Sequence, residues 1–162
     1  MSLRSWKDEF YPVNDINSTV KALEHSVLKW TGLLPENLGK HGVLKADHYV
    51  CEQGPGQGSY RGSRLGMCAT TCALCELFLD DGGDEADSVM CPDCPLVRSG
   101  HASCLLSDPT GESDENHYMH WIVYGDAKPM LDALVSALNW WRANHSTTDK
   151  KEQTDESGDL ES

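Results

Sequence analysis

The sequence predicts a small α+β domain, mainly α, with three helices, a short β element and a zinc-ribbon-like metal region, followed by a disordered acidic tail. Three observations predict it. Two stretches, 20–30 and 130–141, carry apolar residues at helical spacing. Four cysteines fall into two C-x-x-C pairs, Cys72/Cys75 and Cys91/Cys94. Residues 146–162 hold six acids, two lysines and a single large apolar residue, Leu160. The chain of 162 residues has 39% hydrophobic residues and only two Phe, so its core is thin and invites a staple. We read residues 1–145 as one zinc-stapled domain, with its metal region at 68–104, and 146–162 as the tail.

From the N-terminus, Tyr11-Pro12 marks an extended or turn segment, and Trp6, Phe10 and Tyr11 are expected to dock that arm on the body. Asn17 or Ser18 caps a first helix whose apolar face is Val20, Leu23, Val27 and Trp30, and Gly32 stops it. Pro35-Glu36-Asn37 opens a short second helix ending at Gly39 or Gly42. The glycine-rich run 51–66, with Arg61 and Arg64, reads as an irregular exposed loop. Tyr118–Tyr124 has the β-branched and aromatic content of a strand. Asp126 caps the last helix, with Pro129 in its first turn and an apolar stripe of Met130, Leu134, Leu138 and Trp141, widened by Leu131 and Val135.

The cysteines carry the chemistry. The N-terminus has no apolar run that resembles a signal peptide, and no run of about 18 apolar residues exists, so a cytoplasmic, reduced protein is expected. Reduced, clustered thiols read as metal ligands, and seven cysteines would leave one over in any all-disulfide scheme. Two residues between cysteines let a tight turn aim both sulfurs at one ion, and zinc takes four thiolates tetrahedrally at about 2.3 Å. The expected site is one structural Zn2+ on Cys72, Cys75, Cys91 and Cys94. Cys104 competes for a place in it, and Cys68 and His101 are alternates that, with Cys104, would serve a second ion. Cys51 is expected as a buried neutral thiol.

Other chemistries are weaker. A dithiol catalyst would sit near a βαβ pattern, which is missing here. No catalytic zinc motif occurs, and His117 and His120, three apart in an expected strand, would face opposite sides. Gly54-Pro-Gly56-Gln-Gly58 lacks the strand-to-helix frame and the Lys-Ser/Thr pair of a phosphate loop. The acids at 80–87 do not follow calcium-loop spacing. A net charge of −13, of which the tail holds −4, argues against a general affinity for nucleic acid.

The chain also resembles small uncharacterised proteins of tailed phages and prophages with a cysteine-rich centre. Ser2–Pro12, Ala22–Trp30 with Leu34–Leu38, and Cys72-x-x-Cys75 … Cys91-x-x-Cys94-Pro-Leu … Gly100 … Cys104 carry the resemblance, while Cys68 and the acidic tail depart from it. It implies phage origin and zinc, and no reaction. The expected function is therefore that of a non-enzymatic, zinc-binding phage accessory protein in the host cytoplasm, acting by contact with a host protein, inhibition included. Mimicry of nucleic acid is the sharper form of this, and charge that serves only solubility is the blander one. A zinc-ribbon nucleic-acid-binding or regulatory module is the alternative, and it would need more basic residues beside the knuckles than Arg61, Arg64 and Arg98. Nothing in the sequence indicates an oligomeric state.

Overall fold

The structure is a computed structural model that describes residues 2–12, 15–78, 91, 93–101, 104 and 116–145. It is α+β and mainly helical. The order is α1 (Leu3–Phe10), α2 (Thr19–Gly32), α3 (Pro35–His41), β1 (Val43–Ala46), β2 (Tyr49–Gln53), β3 (Tyr60–Gly66), a 3-10 turn (Ala69–Thr71), α4 (Ala73–Phe78), α5 (Pro95–Arg98), α6 (His117–Tyr124) and α7 (Lys128–His145). The described residues thus hold seven helices where three were expected. The expected tail lies outside the described residues, as do the acids at 80–87 and residues 105–115.

The N-terminal arm forms a helix that sequence patterning did not indicate, and the helix ends at the expected non-helical Tyr11-Pro12 segment. Ser2 and Ser5 cap it reciprocally, each side chain bonded to the other's backbone amide (3.1 and 3.2 Å). Leu3, Trp6 and Phe10 fall on one face and are buried, so the expected docking does occur. It is tight: the Trp6 Nε1–H donates to the Gly32 carbonyl at 2.8 Å. The Leu3 amide donates to Glu52 Oε1 at 3.1 Å, which ties α1 to β2.

Helix α2 starts at Ser18, whose Oγ accepts from the Lys21 amide, and ends at Gly32. Its buried face is centred one column away from the expected stripe. Leu23 and Trp30 are buried, Val20 and Val27 only half so, and Ala22, Ser26 and Lys29 complete the face. Helix α7 packs beside it through Met130, Ala133, Leu134, Ala137 and Leu138. Val135 is 39% exposed and does not widen that stripe.

Two expectations are overturned. The glycine-rich run 51–66 is not an irregular loop, since most of it pairs as β2 and β3 of an antiparallel sheet in the order β1-β2-β3. Gly62, at φ +71°, sits in a bulge between the pairs Cys51↔Arg64 and Glu52↔Arg61, where an L-residue would be strained. Glycine lowers strand propensity, and here it supplies the bend instead.

Tyr118–Tyr124 is a helix, α6, not a strand. The Asn116 side chain accepts from the Tyr118 and Met119 amides (3.1 and 3.0 Å), and Gly125 closes the other end in the left-handed region at φ +75°. Helical spacing turns Trp121 fully inward, edge-on to Trp30 at 5.4 Å, and leaves Met119, Val123 and Tyr124 exposed. A strand would have alternated these residues between faces. Capping at both ends and the Trp30–Trp121 contact outweigh β propensity here. His117 and His120 are therefore one turn apart on one helix, which reverses the expectation that they face opposite sides.

Candidate metal centre

The first C-x-x-C pair sits where the chain leaves the sheet. The Met67 amide donates to the His48 carbonyl at 2.8 Å, and the chain then turns through Cys68–Thr71, closed by the Thr71 amide on the Cys68 carbonyl at 3.0 Å. Thr71 Oγ1 donates to the Gly66 carbonyl at 2.7 Å and accepts from the Cys68 amide at 3.2 Å. That turn places Cys72 at the head of α4, where the Glu76 amide donates to its carbonyl at 3.0 Å and Cys75 falls in the first turn. The second pair is built the same way. The Cys94 amide bonds the Cys91 carbonyl at 3.0 Å, Cys94 caps α5, and Pro95 occupies the first helical position.

Both pairs face one another. Cys72, Cys75, Cys91, Cys94 and Cys104, with Leu74 and Leu96, line a single hollow of about 10 Å3. That space is close to the volume of one water-sized sphere. All four expected ligands and the competing Cys104 therefore meet at one place. Cys68 does not line that hollow. It borders an adjoining cavity of about 100 Å3 with Cys72, Cys75, Cys104, Lys29, Trp30, Met67, Tyr118 and Met130. His101 lines neither, and its ring lies 6.4 Å from that of His117. Cys51 is buried on β2 as expected, its thiol donating to the Leu44 carbonyl at 3.7 Å, with burial pushing its pKa up.

The thiols are electrostatically uneven. Cys72 is drawn down to about 5, first by the Cys75 thiol and then by Lys29 and the Cys75 and Leu74 amides, against the cost of burial. Cys104 is lowered through Cys75 as well, while Cys75, which supplies the proton, is raised. Burial pushes Cys94 up to about 12 and raises Cys91. Five thiols around one hollow, three of them buried and two half-buried, cannot all ionise side by side without a cation among them. A set of soft sulfur donors around a hollow of one-ion size matches what zinc takes in structural sites. As they stand, no three His, Cys, Asp or Glu side chains among the described residues form a group that could hold a metal ion. The donor chemistry of the five cysteines fits such an ion.

Sequence reasoning missed Lys29. It is 3% exposed, and its Nζ donates to the Thr71 carbonyl at 2.8 Å and to Thr71 Oγ1 at 3.3 Å. Burial lowers its pKa, whereas the thiols of Cys72, Cys75, Cys68 and Cys104 act to raise it. A signal did exist, because Ala22, Ser26, Lys29 and Leu33 run as one column at helical spacing beside Leu23 and Trp30.

The three arginines near the knuckles are exposed and make only surface contacts. Arg64 stacks over Tyr49 and Tyr60 (4.9 and 5.9 Å to the ring centres), Arg61 lies 3.9 Å from Glu52, and Arg98 lies over Trp141 at 5.8 Å. No described helix is long and apolar enough to cross a membrane. No protein family, curated protein or solved structure was found to match the chain.

Proposed function

We propose that this chain is a non-enzymatic binding protein whose fold is stapled by one structural zinc ion on Cys72, Cys75, Cys91 and Cys94, with Cys104 the competitor for one of those places. The observation that supports it is the convergence of these five cysteines on one small hollow between α4 and α5. When bound, zinc would supply a fixed tetrahedral junction between four thiolates, with no open position for a substrate. The chain's own residues do the rest. The Cys68–Thr71 turn presents Cys72 and Cys75, Pro95 starts α5 just beyond Cys94, and Leu74 and Leu96 keep water from the sulfurs.

The working surface is then the acidic exterior. Among the described residues every Asp and Glu except Glu52 is exposed, and Glu52 is half-buried. In keeping with the phage resemblance, the partner is a host protein with a basic face, and charge complementarity speeds the encounter. The net charge of −13, against only Arg61, Arg64 and Arg98 near the knuckles, speaks against nucleic acid as that partner. A tagged purification from phage-infected cells tests the proposal, with metal content and co-purifying proteins read from one sample. Zinc with a specific host protein, released as salt is raised, is the expected result. Turnover of a substrate, or retention of DNA at moderate salt, would sink it.

A further inference from the structure

Lys29 is a buried side chain with no carboxylate partner among the described residues. Among the described residues none of the ion pairs involves it. Two of its hydrogen bonds go to Thr71, a neutral residue, and the Tyr11 ring lies 5.8 Å away. Sulfur dominates its polar surroundings: Lys29 shares the wall of the larger cavity with Cys68, Cys72, Cys75 and Cys104, beside Tyr118. Neutral thiols are poor compensation for a buried charge, and thiolates are good compensation.

We infer that Lys29 is the counter-cation of the thiolate centre, a positioning residue that offsets part of its negative charge and thereby sets how tightly it holds zinc. This rests on the zinc reading above. Four thiolates around one divalent ion carry a net charge of −2, and a neighbouring ammonium reduces the local charge to −1. Thr71 fixes the ammonium from the turn that also presents Cys72, so the cation and the first ligand pair are placed by the same residue. Groups beyond the ligands that tune a metal site in this way commonly change affinity 10- to 100-fold. The charge matters here, not only the hydrogen bond, which separates Lys29 from an ordinary buried polar residue.

Zinc affinity measured by competition with a chromophoric chelator tests this on the full chain, for wild type, Lys29→Met and Lys29→Arg. Lys29→Met is expected to bind at least tenfold more weakly, and Lys29→Arg, which keeps the charge, within about threefold of wild type. Lys29→Gln keeps a donor for Thr71 without the charge and is expected to behave as Lys29→Met does, and it replaces that variant if Met at this position prevents folding. Urea midpoints with and without excess chelator give a second readout. A structural role alone lowers both by the same amount, whereas a counter-cation lowers the zinc-bound midpoint more. Equal zinc affinity in wild type, Lys29→Met and Lys29→Gln overturns the inference and leaves the zinc reading standing. A wild-type chain that binds no zinc overturns both.

Discussion

Replacing Gly32 with alanine tests how α1 is held. A Cβ built there lies 2.5 Å from Phe10 Cβ, 2.6 Å from Phe10 Cγ and 2.8 Å from Trp6 Cζ2, all nearer than real carbons approach. Phe10 is 5% exposed and Trp6 fully buried, so neither ring can swing away, and α1 must retreat as a body. The retreat lengthens the Trp6–Gly32 hydrogen bond, now 2.8 Å. Overpacking of this kind costs about 1–3 kcal/mol, and weakening a buried hydrogen bond adds about 1 kcal/mol. Alanine's better helix propensity returns at most about 1 kcal/mol. The net expectation is a loss of about 2 kcal/mol. Full undocking of α1 would expose Leu3, Trp6 and Phe10 at about 1.5–3 kcal/mol each, so a strained, still-docked helix is the cheaper outcome. Urea unfolding followed by tryptophan emission measures the change, and an unaltered slope with a lower midpoint is expected. A Gly32→Ala variant as stable as wild type, or more stable, would refute the docking geometry.

Gly39 offers the opposite outcome, because it is helical in α3 and nothing lies within 4 Å of an added Cβ. Gly39→Ala should stabilise by about 0.5–1 kcal/mol in the same assay. Cys75→Ser or Cys94→Ser should abolish cooperative melting of the zinc-bound protein, whereas Cys51→Ser, away from the hollow, should leave zinc content unchanged and cost about 1–3 kcal/mol by placing a hydroxyl in a buried site. His25 supplies a pH dependence. Burial holds its imidazole below the ordinary 6.5, assisted by Lys29 and opposed by its contact with the Pro12 carbonyl and by Glu76. The folded chain therefore stays neutral where the unfolded chain takes up a proton. Its contribution is present above about pH 6.5 and is lost as pH falls through the folded value. Relative to His25→Phe, wild type should lose stability between pH 7.5 and 5.5, as read from urea midpoints of the two proteins at each pH.

The parts of the fold legible in the sequence are those with local punctuation. Ser18 and Gly32 bound α2, Pro35 opens α3, and Asp126 accepts from the Lys128 amide at the start of α7, all as spacing and capping indicate. The closeness of Cys72 to Cys75 and of Cys91 to Cys94 was legible too, because C-x-x-C spacing ties each pair to one turn whatever the rest of the chain does, whereas spacing alone left the place of Cys104 open. What escaped depended on contacts between distant residues. Tyr118–Tyr124 reads as strand until Trp30 is placed against Trp121. The 51–66 run reads as loop until β1 and β2 supply a register for its glycines. The Ser2–Ser5 capping box needed only local information, yet the pair lacks the usual Glu or Gln partner and so passes unnoticed. Lys29 escaped for a different reason, since a lysine on a helix is ordinarily solvated and only the thiols behind it explain its burial.

On the proposed reading, the thiols at α4 and α5 hold one zinc ion. Native mass spectrometry of protein purified under reducing conditions, paired with timed alkylation of its seven cysteines, measures this most directly. One zinc per chain is expected, with four thiols protected until a chelator is added, Cys75 and Cys94 among them. A metal-free mass, with Cys72, Cys75, Cys91 and Cys94 alkylated as fast before chelation as after it, would contradict that reading.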